Sequence, residues 1–329
     1  MVSLLSMLFN IIIFNTFSHL LVRPFLRKRK PLTSLYEEES FVKVKVSTKN
    51  RQRYSQEDQT IEEISTKLKD AKTIEARKLV EELVQKTTFK KKSGKLEKNF
   101  TKYIALKLSK NTELKTQVLS AFIQKLWEKE PTALREIGIF ILGKIYPSNP
   151  AAFLEKVFSY AQKALRWNDL DNLVHYVLEE QVAEDYDFYL ERLQPLITQE
   201  NQWLRRLAIV ALGRGFFLSK KKEHVKQCFS TIEPTFTDDR KIVLDGNSWV
   251  IGTLGFRVAP EQVVHYFEKY KGSKNTTCIK LFCDVIRRTT HSEKLSADLK
   301  QKVITTLETW QKIEGGINQS VESALEFIQ

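Results

Sequence analysis

The sequence predicts an all-α protein built as a HEAT-like α-solenoid, a stack of antiparallel helix pairs. The chain has 329 residues with only 11 Gly and 8 Pro, and its apolar residues recur at three- and four-residue steps, the period of amphipathic helices. Four tryptophans, Trp127, Trp167, Trp203 and Trp249, lie 40, 36 and 46 residues apart, and two-helix repeats have periods of this size. Such stacks curve, so we expect a concave binding surface.

Successive segments after Glu57 carry the helical pattern, starting with "IEEISTKLKDA" and "IEARKLVEELVQK". The basic stretch "KKKSGKLEK" (Lys90–Lys98) is predicted as a loop around Gly94. Further helices are predicted at "ELKTQVLSAFIQKLWEK", "TALREIGIFILGKIY", "AAFLEKVFSYAQKAL", "DFYLERLQPLIT", "QWLRRLAIVALGRGFF", "SWVIGTLGF", "PEQVVHYFEKY", "TCIKLFCDVIRR" and "LKQKVITTLETWQKI". The turn signals "YPSNP", "TQEN" and "VAP" separate several of them. We assign Trp127, Trp203 and Trp310 to packing.

The chain divides into three predicted parts. Residues 1–30 form an apolar segment that ends in the basic run Arg23–Lys30. Its length suits a membrane anchor that would leave the main body cytoplasmic, and an over-extended start with the protein beginning at Met7 or later explains it as well. Residues 31–56 are polar and predicted as a linker, and residues 57–329 as the solenoid. We expect a cytoplasmic or nucleoid-associated protein, with a membrane partner only if the first segment is a real anchor.

The charge of the chain points to an anionic partner. Lys plus Arg number 53 against 40 Asp plus Glu, a formal net charge of +13, which favours nucleic acid or an acidic membrane face. The three cysteines and five histidines show no metal-ligand spacing, and nucleotide-binding and metalloprotease signatures do not occur. We therefore expect reduced thiols, no metal, no cofactor and a monomer.

Four segments resemble a known family, and they occur in its order. The run "NQWLRRLAIVALGRGF" (Asn201–Phe216) carries its W-L-x-R-x-A-I pattern, and "RWNDLDNL" keeps its W-x-x-x-D spacing as Trp167 and Asp171. The other two are "LDGNSWVIGTLGFRVAPEQVVHYFEKY", which contains Trp249, and "LWEKEPTALREIGIFILGK". Together they resemble the HEAT-like DNA alkylation repair family, the AlkD-like alkylpurine DNA glycosylases, over Thr112–Tyr270. The 35 residues from Asp171 to Arg206 fit the family's separation of carboxylate and arginine.

The resemblance implies a DNA repair enzyme that binds duplex DNA along a basic concave face. It would hydrolyse the N-glycosidic bond of cationic alkylated purines such as 3-methyladenine and 7-methylguanine, without a base-flipping pocket. Asp171 would stabilise charge on the deoxyribose, and Trp167 and Trp249 would offer aromatic faces to the cationic nucleotide. Phosphate contacts would come from basic residues, for which the candidates are Arg206, Arg205, Arg166 and Arg214.

The sequence also departs from the family pattern. Asn168 and Leu170 replace the first Asp and the Val of W-D-x-V-D, and Asp245 stands where the family has a basic residue. The stretch "FLSKKKEHVKQC" (Phe217–Cys228) is read as a lengthened loop. Two alternatives therefore stay open beside the glycosylase. One is a non-catalytic protein of the same superfamily that binds DNA structures, including branched DNA, and the other is a solenoid scaffold for a protein partner.

Overall fold

Helices make up most of the part of the chain that the structure describes. The computed structural model describes residues 46–128, 132–289, 295–313 and 317–328. It is 82% helical, and no strand is present among these residues; Lys90 and Leu96 form one isolated bridge in the predicted basic loop. The predicted all-α class is confirmed. The apolar segment of residues 1–30 lies outside the described residues.

The helices follow one another with short connections. The first seven are α1 (Thr48–Tyr54), α2 (Asp58–Lys69), α3 (Thr73–Lys86), α4 (Lys98–Lys110), α5 (Thr116–Trp127), α6 (Thr132–Ile145) and α7 (Pro150–Gln162). Helix α8 continues through Trp167–Leu173, the π-helical segment Val174–Leu178 and Glu179–Glu184. Then come α9 (Tyr186–Leu193), α10 (Gln202–Ser219) and α11 (Lys222–Ile232).

The last third of the chain is helical in the same way. Helix α12 continues through Lys241–Ser248, the π-helical segment Trp249–Gly255 and Phe256–Val258. It is followed by α13 (Pro260–Tyr270), α14 (Thr276–Arg288), α15 (Ala297–Gln311) and α16 (Asn318–Ile328). Single turns of 3₁₀ helix occupy Ser55–Glu57, Tyr146–Ser148, Gln194–Thr198 and Glu233–Thr235.

From α4 onward the helices form two layers. Each even-numbered helix from α4 to α16 packs against the next even-numbered helix, so these helices make one continuous layer, called here the even-helix layer. The odd-numbered helices pack on its flank, as α5 does on α6 and α11 on α10. This alternation is the arrangement of a two-layer helical solenoid, in which each helix pair contacts mainly its neighbours.

Side-chain caps define where several helices begin. The Asn201 side chain accepts from the backbone N–H groups of Trp203 and Leu204, at 2.9 and 3.2 Å, and so starts α10. From Leu204 to Phe216 nearly every residue of α10 is buried, because α8 and α12 flank it within the layer and odd-numbered helices cover it. Helix α10 therefore occupies the centre of the core and fixes the direction of its arginines.

The helical body begins earlier than residue 57. Helix α1 lies inside the segment that we predicted as a linker, and Tyr54 is fully buried against Phe89 and Phe100. Its hydroxyl donates to Glu97 at 2.8 Å. The linker prediction is wrong for residues 48–56, because a polar helix with a single buried anchor does not show apolar periodicity.

The loop predicted at Phe217–Cys228 is also corrected. Helix α10 runs to Ser219 and α11 begins at Lys222, so only two residues connect them. Lys220 adopts the left-handed conformation, φ 58°, at the end of α10. The lysines at 220–222 are exposed and hid the helical pattern of the residues that follow them.

The tryptophans do not mark equivalent positions of a repeat. Trp127 ends α5, Trp167 begins α8, Trp203 lies in the first turn of α10 and Trp249 begins a π-helical segment. Trp127 and Trp310 are buried as predicted, while Trp203 is half-buried. The repeat appears instead in four side-chain pairs, each of which joins residues 33 to 35 positions apart in the sequence.

Among the described residues, none of the helices combines the length and the apolar character needed to cross a membrane.

The three cysteines, Cys228, Cys278 and Cys283, are buried and have free thiols. Burial raises the pKa of Cys278 to about 11 and that of Cys283 to about 12, so both stay protonated at neutral pH.

Candidate active site

The first turns of α8 present Trp167 and Asp171 on one face. The two residues are four apart and therefore lie one above the other along the helix. Trp167 is the first residue of the helix and keeps 37% of its surface exposed. The Asp171 side chain is 12% exposed. An indole and a carboxylate with partial access to solvent thus stand side by side at the start of α8.

Arg206 of α10 holds the Asp171 carboxylate in a two-point contact. Its Nε donates to Oδ1 at 3.2 Å and its Nη2 donates to Oδ2 at 3.1 Å. The third nitrogen, Nη1, donates to the backbone oxygen of Ile242 at 2.9 Å. A paired arrangement of this kind fixes the plane of the carboxylate and strengthens both bonds through the opposite charges. The interval of 35 residues therefore did bring these two side chains together.

The role of Arg206 differs from the one we predicted. Its side chain is only 6% exposed and faces Asp171 and Ile242 rather than solvent. In this structure the guanidinium orients the carboxylate and is not presented to a DNA phosphate. The sequence located the residue correctly, but a buried helix position decides the direction of its side chain.

Trp249 lies on the helix that contacts Arg206 from the other side. Gly246 stands one turn before it, and a Cβ atom at Gly246 would lie 3.4 Å from Nη1 of Arg206. Trp249 itself is 9% exposed, so most of its ring contributes to packing rather than to an open groove. The helices of Asp171, Arg206 and Trp249 are consecutive members of the even-helix layer.

The second aspartate of α8 has a different environment. Asp169 pairs with Arg135 of α6, whose Nη1 donates to Oδ2 at 2.9 Å. The two side chains are 3% and 6% exposed, so solvent hardly reaches the pair. Asp169 therefore ties α8 to α6, and Asp171 remains the carboxylate with access to a ligand.

The three other predicted phosphate contacts are not gathered around Asp171. Arg205 donates to Asp238 at 2.8 Å and also to backbone oxygens near the end of α9. Arg214 is buried and donates to Glu179 at 2.6 Å. Arg166 directly precedes α8, and its side chain is exposed and does not cap the helix. Arg214 thus joins α10 to α8, while Arg205 ties the start of α10 to the segments that precede α10 and α12. Arg166 is the member of this set whose side chain is open to solvent.

The Glu179 and Arg214 pair also includes a histidine. His175 Nδ1 lies 2.9 Å from Oε1 of Glu179, and because a carboxylate only accepts, Nδ1 carries the proton in this contact. Burial alone would raise the pKa of Glu179, but the hydrogen bond from His175 and the charge of Arg214 outweigh it and hold this pKa below its ordinary value. The pair of Glu179 and Arg214 therefore joins the second half of α8 to α10.

Both π-helical segments occur in helices that carry candidate residues. A Cβ atom at Gly143 of α6 would lie 2.2 Å from the backbone oxygen of Tyr176, inside the segment Val174–Leu178. A Cβ atom at Gly252 would lie 2.5 Å from the backbone oxygen of Val285. At both places only glycine allows the neighbouring backbones to approach so closely. π-helical turns are rare in proteins, and those that occur often lie near functional sites. The sequence pattern did not indicate either of these two segments.

A lysine pair on α4 approaches the same region of α8 and was not among the predicted residues. Lys98 Nζ lies 3.3 Å from Oδ1 of Asn172 and 4.9 Å from the ring centre of Tyr176. Lys102 Nζ lies 5.1 Å from the centre of that ring. Helix α4 precedes the segments that carry the family resemblance, so no motif drew attention to these lysines.

A half-buried acid, Glu136, lies within reach of the charge of Lys98. Burial raises the pKa of Glu136 on α6, while the charge of Lys98 acts in the opposite direction. Among the described residues, no group of three or more His, Cys, Asp or Glu side chains is placed to hold a metal ion. The site itself brings together a carboxylate that an arginine orients and an exposed indole.

The fold and this site together define a helical-repeat protein with an arginine-held carboxylate beside an exposed indole. A sequence model of the family described as DNA alkylation repair enzyme matches residues 96–281, more than half of the 329 residues. The chain belongs to the DNA alkylation repair enzyme family, and this membership supports an enzymatic role in DNA repair. The match extends beyond Thr112–Tyr270 at both ends and includes α4. No curated protein matches the chain in a sequence comparison.

Proposed function

We propose that the protein hydrolyses the N-glycosidic bond of cationic alkylated purines in duplex DNA. The observation that carries the proposal is the Asp171 carboxylate, which Arg206 holds with two bonds while 12% of it stays exposed. A carboxylate with a fixed orientation can act on charge that develops in the transition state without rearranging first. Family membership supports a repair substrate, and the site supports a reaction that needs only a carboxylate.

The chemistry suits a substrate whose base is already positive. In 7-methylguanine the bond between C1′ and N9 breaks with its electron pair moving to the base, which leaves as a neutral molecule without protonation. The deoxyribose acquires oxocarbenium character, which a nearby carboxylate stabilises electrostatically. A water oxygen then bonds to C1′ and releases a proton to solvent, so atoms and charge balance.

Aromatic surface beside the carboxylate favours a cationic substrate. Trp167 begins α8 with 37% of its surface exposed, and the negative face of an indole attracts a cation within about 6 Å. Trp249, with 9% of its surface exposed, offers less aromatic surface to a substrate. We propose that it supports the site by packing on α12. For the nearby phosphates, Arg166 is the candidate whose side chain is exposed.

Base release from defined duplexes tests the proposal. We expect the wild-type protein to release 7-methylguanine from a duplex and to leave unmodified guanine in place, with abasic sites revealed by alkali cleavage. Asp171→Asn should reduce the rate by about a hundredfold, the usual effect of removing one electrostatic stabiliser of a transition state. Asp239→Asn is the matched control, because Asp239 is an exposed carboxylate of the loop before α12.

The departures of the sequence favour one alternative, a protein that binds DNA without cleaving it. Asp245 of α12 carries negative charge where the family has a basic residue, and it pairs with Lys241 at 3.2 Å and Arg288 at 3.0 Å. Under this alternative the wild type releases no base above background but still binds duplex or branched DNA. Its affinity would fall steeply with salt, because each neutralised phosphate releases counterions. A flat salt dependence would contradict both DNA hypotheses.

A further inference from the structure

A surface pocket lies away from the Asp171 carboxylate, on the side of α8 that faces α6. It has a volume of 340 Å³ and opens where the carboxyl ends of α5 and α7 meet the first turns of α6. This volume falls in the range of small-molecule sites and is larger than a bare phosphate ion needs. The residues that define the argument are Trp127, Arg135, Lys156, Ser159, Tyr160 and Lys163.

Two aromatic rings form a fixed wall of this pocket. The ring centres of Trp127 and Tyr160 lie 5.0 Å apart with an angle of 33° between the planes. Trp127 Nε1 donates to the backbone oxygen of Tyr160 at 3.1 Å, which locks the indole in place. Both residues are more than nine-tenths buried. The wall is therefore preformed and only its ring edges reach the pocket, where a flat aromatic group could meet them in the edge-to-face arrangement that such rings prefer.

The lining of the pocket is basic. Lys156 and Lys163 are exposed at its edge and Arg135 is buried within it. Among the described residues of the lining, Glu128 is the one acid, and Lys125 holds it at 3.0 Å. Because Asp169 compensates Arg135, the two lysines supply the excess positive charge, which matches the charge of a phosphate monoester.

Arg135 adds a feature that structural packing does not explain. It donates to Asp169 through Nη1, and its Cζ stands 5.6 Å from the centre of the Trp127 ring. Its Nε is buried and makes no hydrogen bond with any described residue. Buried donors without a partner are rare in folded proteins and call for an explanation. A ligand that enters the pocket would change the surroundings of this guanidinium.

We infer that this pocket binds a phosphate-bearing ligand that carries a flat organic group, that is, a nucleotide. The lysines would take the phosphate, and the edge of the wall formed by Trp127 and Tyr160 would take the base. Two sources share this chemistry: a free mononucleotide and the terminal nucleotide of a DNA strand with a 5′-phosphate. The inference does not depend on the proposed glycosylase reaction, because it rests on the pocket alone.

Calorimetric titration with deoxyadenosine 5′-monophosphate tests the inference on the full-length protein. We expect saturable binding, with deoxyadenosine at least about tenfold weaker, because it lacks the charged group that the lysines bind. The double variant Lys156→Ala with Lys163→Ala should bind the nucleotide at least about tenfold more weakly. Both lysines are exposed, so the variant should fold. The charge-matched control is Lys86→Ala with Lys280→Ala, which removes two exposed lysines elsewhere.

The outcomes separate the inference from its alternatives. Absence of saturable binding at millimolar nucleotide, equal affinity for the nucleoside, or equal weakening in both double variants would overturn it. Displacement of the nucleotide by a 5′-phosphorylated duplex, and not by the same duplex with a 5′-hydroxyl, supports it with DNA ends as the source. Failure of both duplexes to displace a bound nucleotide supports it with free nucleotide as the source. Base release is not measured, so a failed glycosylase assay leaves this result unaffected.

Discussion

Asp169 and Asp171 stand two residues apart on α8, and each is paired with an arginine of a neighbouring helix in the even-helix layer. Asp169 faces α6, where its carboxylate and Arg135 are 3% and 6% exposed. Asp171 faces α10, where Arg206 holds it in two bonds and 12% of its side chain is exposed. The interaction is the same in kind, but only the second carboxylate is open to a ligand.

The difference between the two pairs shows why a charged pair alone does not identify a site. A sealed pair joins two helices, and its loss matters because the remaining charge is left buried. A pair with one accessible edge can also act on a substrate, and there the arginine serves to position the carboxylate. We therefore expect mutations at the Asp169 pair to affect stability alone and those at the Asp171 pair to affect the rate of the folded protein as well, since Arg206 is as buried as Arg135.

The largest expected effect is on stability at the sealed pair. Asp169→Asn should lower the free energy of unfolding by about 3 kcal/mol, because the largely buried Arg135 keeps its charge and loses the carboxylate that compensates it. Urea unfolding at neutral pH measures the change. Asp239→Asn, an exposed carboxylate, should stay within about 0.5 kcal/mol of wild type. Equal stability of the two variants would show that the Asp169 pair is not sealed.

The second prediction compares the two arginines. Arg206→Lys should slow base release about tenfold in single-turnover assays, because an ammonium keeps the charge but cannot hold a carboxylate at two points. Arg135→Lys should lower the free energy of unfolding while the rate of the folded protein stays at the wild-type value. If both variants lose rate equally after correction for the folded fraction, the separation of roles between the pairs fails.

The third prediction concerns the exposed indole. Trp167→Ala should reduce the rate about three- to tenfold, in the range of a cation–π contact at a partly exposed site. Trp167→Phe should recover part of the loss, since a phenyl ring offers a weaker face to the cation. Rates measured on duplexes with 7-methylguanine test this. A wild-type rate for the Trp167→Ala variant would show that the indole takes no part in the reaction.

The smallest effect is expected from pH at the third pair, Glu179 with Arg214. The pKa of Glu179 is held below its ordinary value, so this pair stabilises the fold above the unfolded-state pKa and loses the contribution as pH falls through the folded-state pKa. Unfolding of wild type and Glu179→Gln should therefore differ most at neutral pH, and the difference should shrink toward pH 3. A difference that grows in acid would contradict the assigned charge state.

Much of the fold could be predicted from the chain because apolar periodicity reports directly on buried helix faces. The period indicated most of the helices and the fold class, and the family motifs placed Trp167, Asp171 and Arg206. It did not indicate α1, a polar helix with Tyr54 as its one buried anchor. It also missed α11, which was read as part of a loop, and α4 and α16, which were not among the predicted helices. The tryptophan spacing suggested a repeat, but the tryptophans occupy unrelated positions along their helices.

The direction of the arginines could not be predicted from the sequence. Arg205 and Arg206 are adjacent, so they leave α10 in different directions, and packing decides which partner each one meets. One pairs with Asp238 and the other with Asp171. The two partners of such pairs are 33 to 35 residues apart in the sequence, but in a chain with 53 basic and 40 acidic residues this interval alone does not select the contacts.

The central claim is that Asp171, and not Asp169, acts on the substrate, and single-turnover base release by the two Asn variants tests it most directly. Both rates are divided by the folded fraction, determined under the assay conditions by urea unfolding. We predict that Asp171→Asn loses about a hundredfold in rate, while folded Asp169→Asn releases 7-methylguanine at the wild-type rate. A wild-type rate for Asp171→Asn would contradict the account.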